Sequence, residues 1–363
     1  MRYCTKCLYP DTKPDIHFDK QGVCSACRNY ENRPEVDWDA RAKEFTDVIE
    51  RHRSHPVYDC IVPVSGGKDS HYQVARVRHL GFNPLLVTAT TCDLSPLGRK
   101  NLDNIRTVGG GCDHIEITPD PVLRRRLNRF GLEMVGDISW PEHVGIFTMP
   151  VRIAVQMGIK LIVWGENPQN EYGGPGAENS TLSRKWLEEF GGLLGLRVSD
   201  LPYDSRTLWQ YTYPTDDELI ASGVTGVFLG HYFPWDGYEN AQIAQKLGFT
   251  FYKQWVEGSV CEYENLDNCH TGTHDWFKFL KFGFGRATDI ACNHIRRGRW
   301  TRGRALDMIR GYDGAFPDVY LGKRLDDILG EMDMTRDEFM DIAKRFRNRR
   351  ILDEKFNLKE PPC

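Results

Sequence analysis

The sequence predicts an α/β protein built on a doubly wound parallel sheet of five strands. Three observations support this fold class: short apolar runs alternate with amphipathic stretches from about residue 58 to 230, four cysteines fall within the first 27 residues, and aromatic and basic residues recur at helical spacing after residue 240. We therefore expect an N-terminal zinc ribbon at 1–35, an α/β domain at 36–240 and a helical substrate-binding region at 241–363.

The elements of the α/β domain follow one another in regular alternation after a docking helix at 37–52. Strands separated by helices indicate a parallel sheet, and ligands of such sheets bind beyond the carboxyl ends of the strands, near the point where the strand order reverses. A charged helix is expected at 336–349. The predicted strands are 58–64, 84–90, 114–117, 160–164 and 224–229, and the helices between them are 70–80, 98–108, 121–134 and 141–157.

Composition and charge narrow the class of protein. A chain of 363 residues with 40% hydrophobic residues can bury a sizeable core, and its apolar runs are shorter than the roughly 20 residues of a membrane-spanning helix. No signal peptide is evident, so we expect a cytoplasmic protein with reduced cysteines and no membrane partner. The net charge of -4 argues against a nucleic-acid partner and favours a small-molecule substrate.

The strongest motif is Ser-Gly-Gly-Lys-Asp-Ser at 65–70, which lies between a predicted strand and a predicted helix. Two glycines bring backbone amides close to an anion, and the helix N-terminus adds a favourable dipole. The alternative is a tight strand-to-helix turn with polar caps. The predicted nucleotide-binding residues are Ser65, Gly66, Gly67, Lys68, Asp69 and Ser70, with Thr90 and Gly165 at the ends of two other strands.

This motif differs from a Walker loop, since Asp follows Lys and a single residue precedes the glycine pair. It resembles the PP-loop, SGGxDS. The resemblance implies that ATP is cleaved between its α and β phosphates, that AMP passes to an oxygen of the substrate, and that Asp69 helps to hold Mg²⁺.

Four cysteines have the spacing of a zinc ribbon: Cys4, Cys7, Cys24 and Cys27 form two CxxC pairs sixteen residues apart. A site closed by four thiolates leaves no position for a reacting water, so we expect the zinc to be structural. A redox pair and an iron–sulfur site are the alternatives.

Two further segments combine polar and aromatic residues. The first, 165–174, follows a strand, so Glu166, Asn167, Glu171 and Tyr172 are candidates for magnesium or substrate binding, against a plain polar loop. The second, 262–289, suits a sugar whose hydroxyls need polar partners and whose faces stack on rings, against a solvated helix with core aromatics. Its candidate substrate residues are Glu264, Asn265, Asp267, Asn268, His274, Lys281, Arg286 and Asp289.

Taken together, the motifs resemble the N-acetyl sugar amidotransferases, which make acetamidino sugars for bacterial surface polysaccharides and for pseudaminic or legionaminic-type acids. The resemblance also rests on residues 267–289, on Ile-Arg-Arg-Gly at 295–298 and on Tyr-Asp-Gly at 312–314. It implies that an acetamido oxygen attacks ATP to give an O-adenylyl imidate, from which ammonia displaces AMP. With it, the expected catalytic residues are Lys68, Asp69, Glu166, Asn167, Lys281 and Arg286.

The resemblance also implies partners and leaves rivals open. No glutaminase segment is recognisable, so ammonia would come from a separate glutaminase subunit, with or without an ammonia-channelling partner. One alternative is a tRNA-modifying PP-loop enzyme, which the negative charge and the lack of a CxxC pair after residue 27 disfavour. Another is an ATP-sensing module without turnover, which the intact loop at 65–70 disfavours.

Overall fold

The centre of the protein is a parallel sheet of five strands, as the sequence predicts. The computed structural model describes residues 1–166 and 193–362. The strand order is β3-β2-β1-β4-β5, so the order reverses between β1 and β4. These strands are β1 (Cys60–Pro63), β2 (Pro84–Ala89), β3 (His114–Ile117), β4 (Leu161–Trp164) and β5 (Thr225–Phe228).

The three middle strands are apolar along their length because helices cover both faces of the sheet. In β1, Ile61 pairs with Leu85 of β2 on one side and with Ile162 of β4 on the other, and all three are buried. β1 and β5 are shorter than predicted at both ends, as is usual for the boundaries of elements read from sequence. The predicted order of strands and helices is confirmed.

Eight α-helices precede, separate or directly follow the strands of this sheet in the described part of the chain. α3 starts immediately after the loop at 65–67 and packs against α8, while α6 covers the other face next to β2. The helices are α1 (Ser25–Glu31), α2 (Trp38–His52), α3 (Lys68–His79), α4 (Pro96–Ile105), α5 (Pro121–Val135), α6 (Trp140–Met157), α7 (Asp216–Ser222) and α8 (Gly237–Lys246).

The region after residue 248 is largely helical, as predicted. The last helix ends at Phe346 rather than near 349, because the chain turns there and the Asn348 amide donates to Leu280 O at 2.9 Å. The elements are α9 (Thr271–Phe282), α10 (Arg286–Arg296), α11 (Arg302–Ile309), β6 (Val319–Tyr320), β7 (Lys323–Arg324), α12 (Leu325–Glu331) and α13 (Arg336–Phe346).

The cysteine-rich N-terminal segment packs on this helical region. The hydroxyl of Tyr9 donates to Asp289 Oδ1 at 3.0 Å, and the amide of Leu8 donates to Cys292 Sγ at 3.3 Å. Both contacts are buried, so the segment shares a core with α10. In the two described ranges, no helix is long and apolar enough to cross a membrane.

Candidate functional site: a phosphate loop facing the C-terminal region

The loop at 65–67 is held in a fixed conformation by its own side chains. Ser70 Oγ accepts the amide of Ser65 at 3.1 Å, and Ser65 Oγ accepts the amide of Gly67 at 3.3 Å. Gly66 has φ +81°, and a Cβ at this position would lie 2.7 Å from the backbone of Leu102 in α4. Only glycine combines this conformation with such a close approach. The loop therefore lies at the carboxyl end of β1, beside the point where strand order reverses.

Lys68 supplies the positive charge of the loop. It is 6% exposed, and its Nζ lies 2.7 Å from Asp69 Oδ2 and 2.8 Å from Glu264 Oε1. Burial alone lowers the pKa of Lys68, but the two carboxylates outweigh it and hold the pKa well above its usual value. Lys68 is therefore charged at every physiological pH, and one of its counter-charges comes from the C-terminal region.

Two further contacts fix the start of α3. Asn240 of α8 donates from Nδ2 to Asp69 Oδ1 at 2.8 Å. His71 Nδ1 lies 2.9 Å from Gly67 O, a pure acceptor, so this nitrogen carries the proton and Nε2 accepts from Asn104 Nδ2 at 3.1 Å. Burial lowers the pKa of His71, which agrees with a neutral ring. Both carboxylate oxygens of Asp69 are thus oriented before any ligand arrives.

A polar cavity of about 180 Å³ opens over the loop. The loop and the start of α3 form one wall, and the segment 263–267 with Arg286 forms the opposite wall. Gly98 of α4 closes the base, where a Cβ would lie 2.5 Å from Asp267 Cα. Burial raises the pKa of Asp267, so its carboxyl is a weaker acid than usual.

A second, more apolar cavity of about 290 Å³ lies along the carboxyl ends of β1, β2 and β4. Its walls include Phe147, Trp164 and Trp235, and Thr90 and Gly165 also line it. The hydroxyls of Thr90 and Thr91 are buried there without a hydrogen-bond partner among residues 1–166 and 193–362. The two cavities meet at the loop, because they share Ser65, Asp69, Ser70, Glu166 and Asp267.

Arg286 connects the polar cavity to a third one, of about 280 Å³, inside the C-terminal region. Its guanidinium makes a bidentate pair with Asp275, with Nε–Oδ2 at 3.1 Å and Nη2–Oδ1 at 3.0 Å. The amide of Asn265, in the orientation that satisfies both groups, accepts from the same nitrogens. The backbone of Asn265 has a left-handed φ of 49°, which few residues other than glycine adopt. The contact of its side chain with Arg286 helps to hold this conformation.

The third cavity is lined by rings and carboxyl groups. Trp276 and Phe316 stand nearly perpendicular, with ring centroids 5.0 Å apart. Asp313 Oδ1 accepts the amide of Ala287 at 3.1 Å at the start of α10, and burial raises the pKa of Asp313. Asp313 and its neighbours Tyr312 and Gly314, noted in the sequence as a motif, therefore belong to this cavity.

The structure brings most predicted site residues together. All eight predicted nucleotide-binding positions line one or both of the first two cavities, and so do Glu166, Glu264, Asn265, Asp267 and Arg286. Asn167, Glu171 and Tyr172 lie outside the described residues.

Four predicted residues lie elsewhere, each with a partner that explains it. Lys281 donates to the carbonyls of Val135 and Gly136 at 3.2 and 3.1 Å, at the end of α5. Asp289 is paired with Lys278 and Tyr9, and the side-chain Oδ1 of Asn268 accepts the backbone amide of His270 at 3.0 Å. His274 lies 2.7 Å from Asp137. These side chains do not line the cavities at the loop within the described chain.

Other residues of the site escaped the sequence analysis. Trp235 and Gly237 lie between the end of β5 and the first turn of α8, so the rule that ligands bind beyond strand ends could have found them. Asn240 carries no motif, and its role depends on the packing of α8 against α3. Asn101, Phe249 and Tyr263 come from three separate segments, and no local pattern unites them.

The four N-terminal cysteines converge as predicted. Their sulfurs lie within 4.8 Å of one another, with Cys4–Cys27 at 4.0 Å and Cys7–Cys24 at 3.6 Å. A tetrahedral zinc with Zn–S bonds of about 2.3 Å requires sulfur separations of about 3.8 Å. Backbone amides also point at these sulfurs, for example that of Cys24 at Cys4 Sγ (3.3 Å). The residues therefore fit a closed, structural Zn²⁺ site.

The chain is thus an α/β protein with a five-stranded parallel sheet and a glycine-rich loop at the carboxyl end of β1. Residues 249–359 match the family described as "LPS biosynthesis protein WbpG-like, C-terminal domain". This WbpG-like region supplies Glu264, Asp267 and Arg286 to the polar cavity.

Two solved structures are similar to the chain at low identity. NMN synthetase from Francisella tularensis is 13% identical over 58% of this chain and 94% of its own, with a TM-score of 0.29. NAD+ synthetase from Burkholderia pseudomallei is 13% identical over 61% of this chain and 91% of its own, with a TM-score of 0.27. Neither likeness bears on activity at these TM-scores. No curated protein matches the sequence.

Proposed function

We propose that this protein is an ATP-dependent amidotransferase that converts an acetamido group of a bacterial surface sugar into an acetamidino group, with ammonia from a separate glutaminase subunit. The observation that carries the proposal is the ion pair between Lys68 of the phosphate loop and Glu264 of the WbpG-like region. It means that one cavity combines a phosphate-binding wall with a wall from a lipopolysaccharide-biosynthesis region.

The first two cavities suit the two parts of ATP. The apolar cavity offers rings and unpartnered threonine hydroxyls to a nucleoside, while the polar one offers Lys68 and the N-terminus of α3 to phosphates. Asp69 and Asp267 line both cavities, and their carboxylates are of the kind that holds Mg²⁺. When bound, the ion would neutralise phosphate charge.

The third cavity suits a sugar. Trp276 and Phe316 provide apolar lining, and Asp275 and Asp313 provide acceptors for hydroxyls. Arg286 faces both this cavity and the polar one, so it can pair with a phosphate or carboxylate of the sugar while the acetamido group reaches the nucleotide.

The proposed reaction has two steps, adenylylation of the acetamido oxygen and displacement of AMP by ammonia. The acetamido oxygen forms a bond to the α-phosphorus of ATP, and the bond to the β-phosphate oxygen breaks, which releases pyrophosphate. Ammonia then adds to the imidate carbon, AMP leaves with the former amide oxygen, and the nitrogen loses a proton. In this scheme Lys68 would neutralise the charge that builds on the leaving pyrophosphate, and its two carboxylate partners support this role because they hold its ammonium in one position.

The test is to incubate the purified full-length chain with ATP, Mg²⁺ and ammonium, and with UDP-linked diacetamido sugars, nonulosonic acids or bulk tRNA. Pyrophosphate release with one sugar, and a product about 1 Da lighter because an imino group (NH) replaces an oxygen atom, would support the proposal. Release with tRNA alone would support a tRNA-modifying enzyme, and binding of ATP without release would support a sensor.

A pair of arginine variants tests the sugar site. Arg286→Lys removes the planar fork that Asp275 and Asn265 hold, so we expect the KM for the sugar to rise at least tenfold while the KM for ATP changes little. Arg349→Lys, at an exposed position far along the chain, is the matched control. An unchanged KM for the sugar in Arg286→Lys would remove Arg286 from the sugar site.

A further inference from the structure

A second cluster of metal-binding side chains lies away from the cysteines. Asp137 is in the turn between α5 and α6, His143 is near the start of α6, and His274 is on α9. His274 Nδ1 lies 2.7 Å from Asp137 Oδ1, and His143 Nδ1 lies 3.1 Å from Asp137 Oδ2. The two rings meet edge to face with centroids 5.2 Å apart. One carboxylate thus faces the same nitrogen of two imidazoles.

Hydrogen bonding accounts for the contact of Asp137 with His274, whose Nδ1 lies 2.7 Å from Oδ1, but not for the contact of Asp137 with His143. His143 Nδ1 is buried and makes no hydrogen bond of good geometry in the described ranges, although a carboxylate oxygen is 3.1 Å away. This geometry is expected when the ring nitrogen and the carboxylate oxygen both point at a third atom, such as a metal ion, and not at each other. Ligand bonds of about 2.1 Å at right angles place neighbouring donors about 3 Å apart, close to the observed separations.

The surroundings of the cluster favour an ion. Asp137 is 2% exposed, and its Oδ1 also accepts the Ser139 amide at 2.9 Å, which orients the carboxylate. The histidine side chains are 28% and 25% exposed, so one side of the cluster is open to solvent ligands. The neighbouring carboxylate, Glu142, is already paired with Arg124 at 3.0 Å. Asp137 is therefore the anionic ligand and the imidazoles are the neutral ones.

We propose that Asp137, His143 and His274 bind one divalent first-row transition ion through two imidazole nitrogens and a carboxylate. Borderline ions such as Zn²⁺ and Co²⁺ match this donor set, whereas Ca²⁺ and Mg²⁺ prefer oxygen ligands alone. The site is chemically distinct from the all-sulfur cysteine site. The proposal does not depend on the proposed function.

The position of the site suggests what the ion does. Asp137 and His143 belong to the sheet side of the molecule, whereas His274 belongs to the WbpG-like region, so the ion would tie the two together. His274 directly precedes Asp275, which holds Arg286 at the polar cavity. The three ligands are accordingly positioning residues for Arg286.

The experiment is metal analysis of the full-length protein after saturation with Co²⁺ and desalting. We expect two equivalents per chain in the wild type and one in His143→Ala and in His274→Ala. Exposed His79 on α3 provides the control, and His79→Ala should retain two. The sulfur-to-cobalt charge-transfer absorption of the cysteine site should persist in both histidine variants and disappear in Cys27→Ser.

Two outcomes would overturn the proposal: one equivalent in the wild type, or two equivalents in both histidine variants. The histidine variants assign the second ion, because the carboxylates of Asp69 and Asp267 can also take up Co²⁺ in the wild type. Circular dichroism shows which variants fold, and one folded histidine variant is enough. Loss of the second ion without any change in pyrophosphate release would leave the proposed function intact and remove only the positioning role for Arg286.

Discussion

Lys68 Nζ and Glu264 Oε1 lie 2.8 Å apart, although nearly two hundred residues separate them in the sequence. Lys68 begins α3 directly after the loop at 65–67, and Glu264 lies in the WbpG-like region. A buried ammonium is costly unless it is paired, so the loop is electrostatically complete only when the C-terminal region is in place. This relationship makes the two parts of the site one unit.

Removing the lysine should separate its roles in stability and in turnover. Lys68→Met leaves Asp69 and Glu264 facing each other without a cation, so we expect a lower melting temperature and a fall in pyrophosphate release of about 10²–10³-fold. Adding Glu264→Gln should restore much of the melting temperature but none of the activity. Recovery of activity in the double variant would show that Lys68 serves only as a structural partner.

A pair of glycine variants tests the close approach of the loop to α4. Gly66 and Gly81 both have left-handed φ angles, +81° and +85°, but a Cβ on Gly66 would collide with Leu102 whereas Gly81 faces open space. We expect Gly81→Ala to cost about 1 kcal/mol from backbone strain alone and Gly66→Ala to cost more and to weaken ATP binding at least tenfold. Denaturant unfolding and nucleotide titration measure the difference. Equal effects in the two variants would show that the close approach of Gly66 to Leu102 is unimportant.

The cysteine site should contribute to stability and not to nucleotide binding. Cys27→Ser removes one of four zinc ligands, so we expect the loss of one zinc per chain and a fall in the free energy of unfolding on the order of several kcal/mol. ATP affinity should change less than threefold, because no cysteine of the site lines the nucleotide cavities. Cys112→Ser, at a half-buried cysteine outside the cluster, is the control. Retention of zinc in Cys27→Ser would disprove four-cysteine ligation.

His294 should make stability depend on pH. The ring stacks on Trp300 with centroids 4.3 Å apart and its Nδ1 accepts from Arg299 Nε at 2.8 Å, so it is held neutral. Burial, followed by the charge of Arg299, lowers the pKa of His294 to about 4. The unfolded chain, with a histidine pKa near 6.5, binds more protons between these values, so the free energy of unfolding falls as pH decreases through that window.

His294→Gln should remove this contribution, which is at most about 1.4 kcal/mol per pH unit. Denaturant unfolding from pH 7 to pH 4 should therefore give a flatter profile for the variant than for the wild type. His79→Gln, at an exposed site, should leave the profile unchanged. A parallel decline in wild type and His294→Gln would contradict the lowered pKa.

The sequence predicted the features that depend on local pattern. Each of these features is determined by a short stretch of sequence, and each appears in the structure: the apolar strands, the amphipathic helices, the loop at 65–70 and the paired cysteines. The sequence did not show which side chains of α9 face the cavities. Lys281 lies six residues after Asp275, which is about 240° around a helix, so it points to α5 while Asp275 lines the third cavity.

Residues such as Asn240 show a second limit. Its amide orients Asp69 across 171 positions of sequence, and this contact exists only because α8 packs on α3. Neither the composition nor the periodicity of the segment around Asn240 differs from that of an ordinary surface helix. Only the assembled fold reveals the partner.

The close approach of Gly98 to Asp267 limits how the chain can be shortened or recombined. A chain cut before residue 249 would keep the complete loop and sheet, but α4 would lose the segment on which Ser95 and Gly98 rest, and Lys68 would lose Glu264. Such a fragment would expose to solvent the loop side of the polar cavity, which the segment 263–267 covers in the intact protein. The loop at 65–67 is therefore not an independent unit, and an exchange of the C-terminal region between relatives must also exchange the residues of α4 that face this region.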